Sequence, residues 1–292
     1  MNKNLLIRTA VAAVAIPIIL WICYQGDLWL LGLIALFFIV ALSEFLIAEK
    51  HQPSSITFWL IVCAGLFHVA QIGAPEFGWG KLEEDSVVSP LDTILTVSPL
   101  LVILLLGGMS YATGKRLPAE LFASYARLLW GVMYLFTLYP FVIYVGRSIS
   151  IGDTASPLGG DWLLFLFGLL WLGDTAAMFV GKAFGKHKLA PAVSPNKTVE
   201  GFIGGVVGAV VVAVILGFWR LDMISMWQLV VIAILCSVFG QLGDLVESMW
   251  KRSLSIKDSS SLIPGHGGVL DRFDSLLFAA PVMYYAMLLI GK

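Results

Sequence analysis

The sequence predicts an all-α, polytopic integral membrane bundle of about nine transmembrane helices with a cytoplasmic amino terminus. Three observations lead there. Of the 292 residues 59% are hydrophobic and only 13% charged, mean hydropathy is +0.91, and apolar runs long enough to cross a hydrocarbon core of about 30 Å recur along the chain. A soluble domain of this length needs far more polar surface. The runs lie near 5–24, 28–47, 56–73, 92–108, 125–145, 162–184, 202–219, 227–250 and 274–290. Threading nine spans alternately puts fourteen of the eighteen Lys and Arg on one side and leaves Lys81, Arg147, Arg220 and Lys292 on the other. The richer side is cytoplasmic by the positive-inside rule, and an even span count would scramble the ratio. Net charge is −1, which says nothing about nucleic acid, and no nucleic-acid partner is expected.

The first run is expected to be a retained helix: Lys3 and Arg8 stand at its start, but no small-residue cleavage site follows it. Cys23, Cys63 and Cys236 lie far apart in apolar runs and read as small core hydrophobes. Residues 1–160 form a transmembrane scaffold with few polar groups, in which Glu44 reads as an interfacial residue beside Glu49 and Lys50. His51 and His68 are lone surface or core histidines, and the turn-rich stretches 74–91 and 150–161 are solvated external connections. Residues 161–292 form a second transmembrane region with cytoplasmic loops, to which the residues described below assign the catalytic role; no linker separates the two parts of one continuous membrane domain.

Asp174 falls in the middle of an apolar run. Ionised there, it costs about 2.5–3.5 kcal/mol by insertion scales unless it meets a cation, a donor or water. An ion or substrate cavity and a structural hydrogen bond account for it equally. The following segment carries Lys182, Lys186, Lys188 and Lys197, and its Pro191 and Pro195 exclude a continuous helix. The seventh span begins at Asn196 to Thr198, and free N–H groups at a helix start suit a phosphate. Anionic lipid headgroups would suit the same lysines. Gly201 with Gly205 and Gly204 with Gly208 form two overlapping GxxxG patterns, which favour close helix packing within the protomer or in a dimer.

The chemistry gathers between residues 244 and 274. Asp244, Ser248 and Lys251, spaced by four and seven, share a helix face, with Glu247 about 60° away. A simple Asp244–Lys251 salt bridge would explain that pattern without chemistry. The remainder asks for more: Lys251, Arg252 and Lys257 supply three cations, PGHGG supplies a loop whose backbone can approach a ligand, and Asp271 and Asp274 flank Arg272. Helix capping explains one of these acids, hardly both together with Asp244. Carboxylates without thiols or paired imidazoles suit Mg²⁺, and His266 alone is too little for zinc. Two such ions about 3.5–4 Å apart would clamp phosphate oxygens in an in-line displacement. GxxxxGK[ST], HExxH and G-x-S-x-G motifs are all missing, so an activated side-chain nucleophile is not expected.

From Ser248 to Asp274 the chain resembles the phosphatidate cytidylyltransferases, or CDP-diacylglycerol synthases. It satisfies every fixed position of their signature S-x-x-K-R-x4-K-D-x-[GSA]-x2-[LIF]-[PG]-x-H-G-G-x2-D-R-x-D. The block from Asp174-Thr175 through SPNKTVEGFIGG looks like the same family, so the resemblance covers about 162–290; the amino-terminal half shares hydropathy only. Trp250 departs from the aliphatic residue or Phe expected and is read as facing lipid or a neighbouring helix.

The resemblance implies transfer of CMP from CTP to phosphatidic acid, giving CDP-diacylglycerol and pyrophosphate, at the cytoplasmic face of a bacterial inner membrane. A homodimer is a possible assembly. The phosphate monoester, with a second pKa near 6, is already a nucleophile. Asp244 and Asp271 are implied as metal ligands with Asp274 a further one, around a two-metal site whose second ion need not be Mg²⁺. Lys251, Arg252 and Lys257 join Asp244 and Asp271 as catalytic candidates. Lys197, Thr198, Asp258, His266, Gly267, Gly268 and Arg272 are candidates for substrate contact. Other readings are a nucleotidyltransferase acting on a different lipid phosphate, a cation-coupled transporter using Asp174, Asp244 and Glu247, and an inactive or specialised paralogue.

One consequence is direct. Asp271→Asn abolishes cytidylyl transfer and leaves membrane expression intact; near-wild-type activity in that variant removes Asp271 from the mechanism.

Overall fold

A computed structural model describes residues 3–25, 27–73, 118–146, 159–222, 224–265 and 267–290. Among them are eight helices: α1 (Lys3–Gln25), α2 (Asp27–Ala48), α3 (Ile56–Gly73), α4 (Pro118–Gly146), α5 (Gly159–Phe184), α6 (Val199–Trp219), α7 (Met226–Ser253) and α8 (Leu270–Ile290). By length and composition α2, α4, α5, α6, α7 and α8 can each cross a membrane, while α1 and α3 contain the shorter apolar helices Ala13–Gln25 and Ile56–Ala70. The chain is therefore a polytopic helical membrane protein. The span expected near 92–108 and the connection at 74–91 lie outside the described residues, as does 150–158 of the connection expected at 150–161, whose last three residues instead open α5; the described residues hold six candidate spans and two shorter apolar helices of the nine spans expected.

One departure from all-α is local. Where Pro191 and Pro195 bar a helix, β1 (Lys188–Ala190) and β2 (Ser194–Thr198) form an antiparallel hairpin, with Lys188 opposite Thr198 and Ala190 opposite Ser194. Its entry is fixed by Glu200 in the first turn of α6, which accepts from the backbone N–H groups of Lys186 (3.0 Å) and His187 (3.2 Å). Thr198 ends the hairpin and caps α6, its hydroxyl accepting from Gly201 N–H at 3.1 Å.

α6 shows why these helices belong in lipid. Ile203, Val207, Val211 and Ile215, at successive i+4 positions, are all exposed, whereas a soluble helix would place polar groups along such a stripe. The opposite face is small and pressed against α5. A β-carbon at Gly201 would lie 2.9 Å from Ala177 O, and one at Gly208 would lie 2.6 Å from Ala176 Cβ. The two GxxxG patterns thus serve packing within the protomer. Gly173 faces Gly205 and Gly181 faces Gly201, so α5 and α6 run antiparallel. At the end of this pair away from the hairpin, Arg220 binds Asp161 at 2.9 Å.

Around these helices the core is aromatic and aliphatic. Phe38 packs edge-on against Phe136 and Tyr139, joining α2 to α4. His68 is a buried core residue whose Nε2 lies 2.9 Å from Phe136 O. Cys23 and Cys236 are buried as expected, but Cys63 is exposed on the apolar outer surface of α3, where lipid replaces protein as its apolar surroundings. Trp250 does not face lipid: it packs on Phe45 with ring centroids 5.0 Å apart and donates to Glu49 Oε1 at 2.9 Å. Glu49 also accepts from Arg127 Nε at 3.1 Å, so this one carboxylate ties α7 and α4 to the end of α2.

Gly208→Val forces the α5–α6 pair apart against a methyl group that has no rotamer to yield. Overpacking of this kind costs about 1–3 kcal/mol. The thermal midpoint in detergent falls by several degrees; an unchanged midpoint contradicts the packing.

Candidate active site

α7 brings charge into the bundle because its carboxyl-terminal turns meet α8 and the loop between them, where donors are available. A cavity of about 620 Å³ opens there. Its polar wall holds Asp174, Asp244, Lys251, Asp271, Arg272 and Asp274, and its apolar wall holds Val11, Ala15, Ile16 and Ile19 of α1 with Phe167 and Trp171 of α5. A cavity lined by both charged and aliphatic side chains matches a ligand that is itself amphipathic. Asp174 lines the same cavity.

The simple Asp244–Lys251 bridge, the alternative that would have explained the shared face without chemistry, does not form. Asp244 Oδ2 pairs with Lys197 of the hairpin at 2.6 Å, and its Oδ1 accepts from Ser248 Oγ at 3.2 Å. Lys251 turns to α8 and meets Asp271 Oδ1 at 2.7 Å, with Glu247 Oε1 at 3.3 Å. Glu247 is wholly buried beside Asp274, and neither of its oxygens has a hydrogen-bond donor of good geometry. The Lys251 ammonium is therefore the charge that makes burial of these acids tolerable.

Asp271 is surrounded by donors. Besides Lys251 it accepts from Ser259 N–H and Ser259 Oγ, both at 2.9 Å, and from Gly268 N–H at 2.7 Å. Four donors match the lone-pair capacity of a carboxylate. A metal at Asp271 would have to displace one of them. Asp274 Oδ1 accepts from its neighbour Ser275, from N–H at 2.6 Å and from Oγ at 3.2 Å.

The loop itself closes on a pair of glycines. Gly265 (φ 76°) and Gly267 (φ 88°) take the left-handed conformation that a side chain resists. Ile263 N–H bonds Gly267 O at 2.9 Å across the turn. His266 lies outside the described residues. Asp258 is exposed beside Gly267, and Lys257 is exposed next to it. Arg252 serves the frame: its Nε donates to Val193 O at 3.2 Å and its guanidinium to Ile256 O at 2.8 Å, bracing hairpin and loop against α7.

One residue that shapes the site was read in the sequence as merely interfacial. Glu44 of α2 is 5% exposed, not interfacial, and takes hydrogen bonds from the α7–α8 loop and the start of α8. Its signal was an acid inside an apolar run, the same signal that marked Asp174 and Asp244.

The donor set fits a hard divalent cation in kind, since Asp174, Asp244 and Asp274 offer oxygen alone. Among the described residues no three acidic, His or Cys side chains already converge as a metal-binding group.

Residues 6–290 match the model of the cytidylyltransferase family. Curated relatives include the phosphatidate cytidylyltransferases of Staphylococcus haemolyticus and Staphylococcus saprophyticus, 45% and 46% identical over 142 residues. That of Staphylococcus aureus is 44% identical over the same length. Each match takes in 49% of this chain and 55% of the relative, so the chain spans about half the length of the curated relatives it matches.

Two lysines of the site differ in what their removal does to stability. Lys251→Met strands Asp271 and Glu247 without a cation and costs about 3–5 kcal/mol. Lys197→Met breaks a partly exposed pair and costs about 1 kcal/mol or less. Unfolding midpoints in detergent rank the two; equal losses contradict the assigned partners.

Proposed function

The chain belongs to the cytidylyltransferase family, and from that premise we propose that it transfers CMP from CTP to phosphatidic acid, releasing pyrophosphate and leaving CDP-diacylglycerol. The observation that carries this reading is the cavity with a charged wall and an aliphatic wall, because the two reactants are a polyanion and a lipid bearing a phosphate. The acyl chains lie along Val11, Ala15, Ile16 and Ile19, and the phosphates meet Lys251 and Arg272. Lys197 and the N–H groups at the start of α6, where Thr198 is the cap, are within the same end of the protein for a further phosphate.

A lipid phosphate oxygen attacks the α-phosphorus of CTP; the new P–O bond forms as the bond to the β-phosphate oxygen breaks, and the electron pair departs with pyrophosphate. The phosphate monoester is largely dianionic near neutral pH, so no protein base has to remove a proton. What the chain must supply is alignment and neutralisation of charge. Carboxylates on the cavity wall repel a bare nucleotide, and this is the reason for assigning Mg²⁺ to Asp244 and Asp274, with Asp271 reached if Lys251 moves to a phosphate. Bound there, Mg²⁺ would neutralise phosphate oxygens and the charge developing on pyrophosphate. Lys251 and Arg272 do the same from the protein side, while Arg252 and the glycine turn keep the loop in register. The excess of Lys and Arg at this end supports the reading that the reaction runs at the cytoplasmic face, with the amino terminus on that side, and the bacterial source of the relatives supports an inner membrane.

Purified protein supplied with phosphatidic acid in mixed micelles, labelled CTP and Mg²⁺ forms labelled CDP-diacylglycerol and pyrophosphate. Chelation of the metal stops the reaction and added Mg²⁺ restores it. Failure to label lipid, or transfer indifferent to chelation, overturns the proposal or its metal.

A further inference from the structure

We infer that Glu44 is a positioning residue of this site: from α2 it holds the α7–α8 loop in the shape that presents Asp271, Arg272 and Asp274 to the cavity. The inference rests on the transfer reading for its kinetic consequence and on geometry alone for its structural one.

Both oxygens of Glu44 receive a backbone donor, and one receives a hydroxyl as well. Oε1 accepts from Ser260 Oγ at 2.6 Å and from Val269 N–H at 3.0 Å; Oε2 accepts from Leu270 N–H at 2.9 Å and stands 3.4 Å from Ser259 Oγ, whose one proton goes to Asp271. Val269 and Leu270 open α8, where backbone N–H groups have no partner within the helix and an anion is favoured. Val269 has no side chain that could cap. A carboxylate from another helix, more than two hundred residues away in sequence, does so instead.

Asp271 holds the same loop from the other side through Ser259 and Gly268 N–H. Ser259 Oγ lies between the two acids, 2.9 Å from Asp271 and 3.4 Å from Glu44. Gly268 gives an independent indication that this approach is built in. A β-carbon there would run into Ser259 Oγ and come within 2.6 Å of Glu44 Oε2, so the close approach needs a residue without a side chain. Glu44 is absent from the cavity wall, and any effect on reaction must pass through the loop.

Glu44→Gln is the decisive variant, because an amide turns one of the two accepting ends into a donor aimed at a backbone N–H. Gly268→Ala tests the same clamp without changing charge. Both lower kcat on the order of 10–100-fold, the scale of a misplacement near 1 Å, and leave the KM for phosphatidic acid within about twofold. Amide hydrogen exchange over 259–270 rises about tenfold or more in each, while exchange in α5 and α6 stays at the wild-type rate. Adding Ser260→Ala to Glu44→Gln brings no further loss, as expected of groups acting as one unit. Transfer within threefold of wild type, or exchange that is unchanged or rises equally in α5 and α6, overturns the inference. If wild-type protein transfers no label at all, the transfer reading fails, and exchange over 259–270 still decides whether Glu44 holds the loop.

Discussion

A lysine buried between α7 and α8 governs the shape of the site. Lys251 lies 2.7 Å from Asp271 and 3.3 Å from Glu247, and all three side chains are buried. Taking such charges from water costs several kcal/mol per ion, so the arrangement persists only with good geometry and with the remaining lone pairs satisfied. Asp271 meets that condition through Ser259 and Gly268, and the requirement fixes the loop. The loop's shape and the start of α8 are thus held from two sides, by Asp271 anchored on the Lys251 ammonium and by Glu44 of α2.

Around this pair the protein uses charged groups for two different tasks. Glu44, Glu49, Arg252 and Asp271 bind backbone or indole N–H groups, carbonyls and each other's loops, and hold elements together. Asp174, Asp244, Arg272 and Asp274 face the cavity. Lys251 and Asp271 belong to both sets. A bundle whose helices are apolar all round gains little orientation from hydrophobicity in lipid, so polar contacts and small-residue packing define the register. The glycine face of α6 and the carboxylates at the ends of α2 fill those two roles.

Much of the fold was legible because the span length and the lack of polar residues leave few alternatives. The shared face of Asp244, Ser248 and Lys251 was legible from spacing, yet the identity of the ion pairs was not. Seven residues rise about 10.5 Å along a helix, too far for the two side chains to meet easily when each has a nearer partner. Those partners, Lys197 and Asp271, come from other elements. The prolines at 191 and 195 announced a break but not a hairpin, because strand pairing needs knowledge of which backbone lies opposite. Arg252 read as a catalytic candidate; only tertiary structure reveals the carbonyls to which it donates. Glu44 was visible as a costly acid, and its meaning depended on amides at the far end of the sequence.

The dependence of the site on the Lys251–Asp271 pair is open to a double-mutant cycle of unfolding free energies in detergent, using Lys251→Met, Asp271→Asn and the two combined. A buried pair that organises its surroundings gives a coupling of about 3 kcal/mol at the upper end of the range for residues in contact, with the double variant losing much less than the two single losses together. Additive losses would mean that the two side chains stand near each other without depending on one another, and the account of the loop would fall with them.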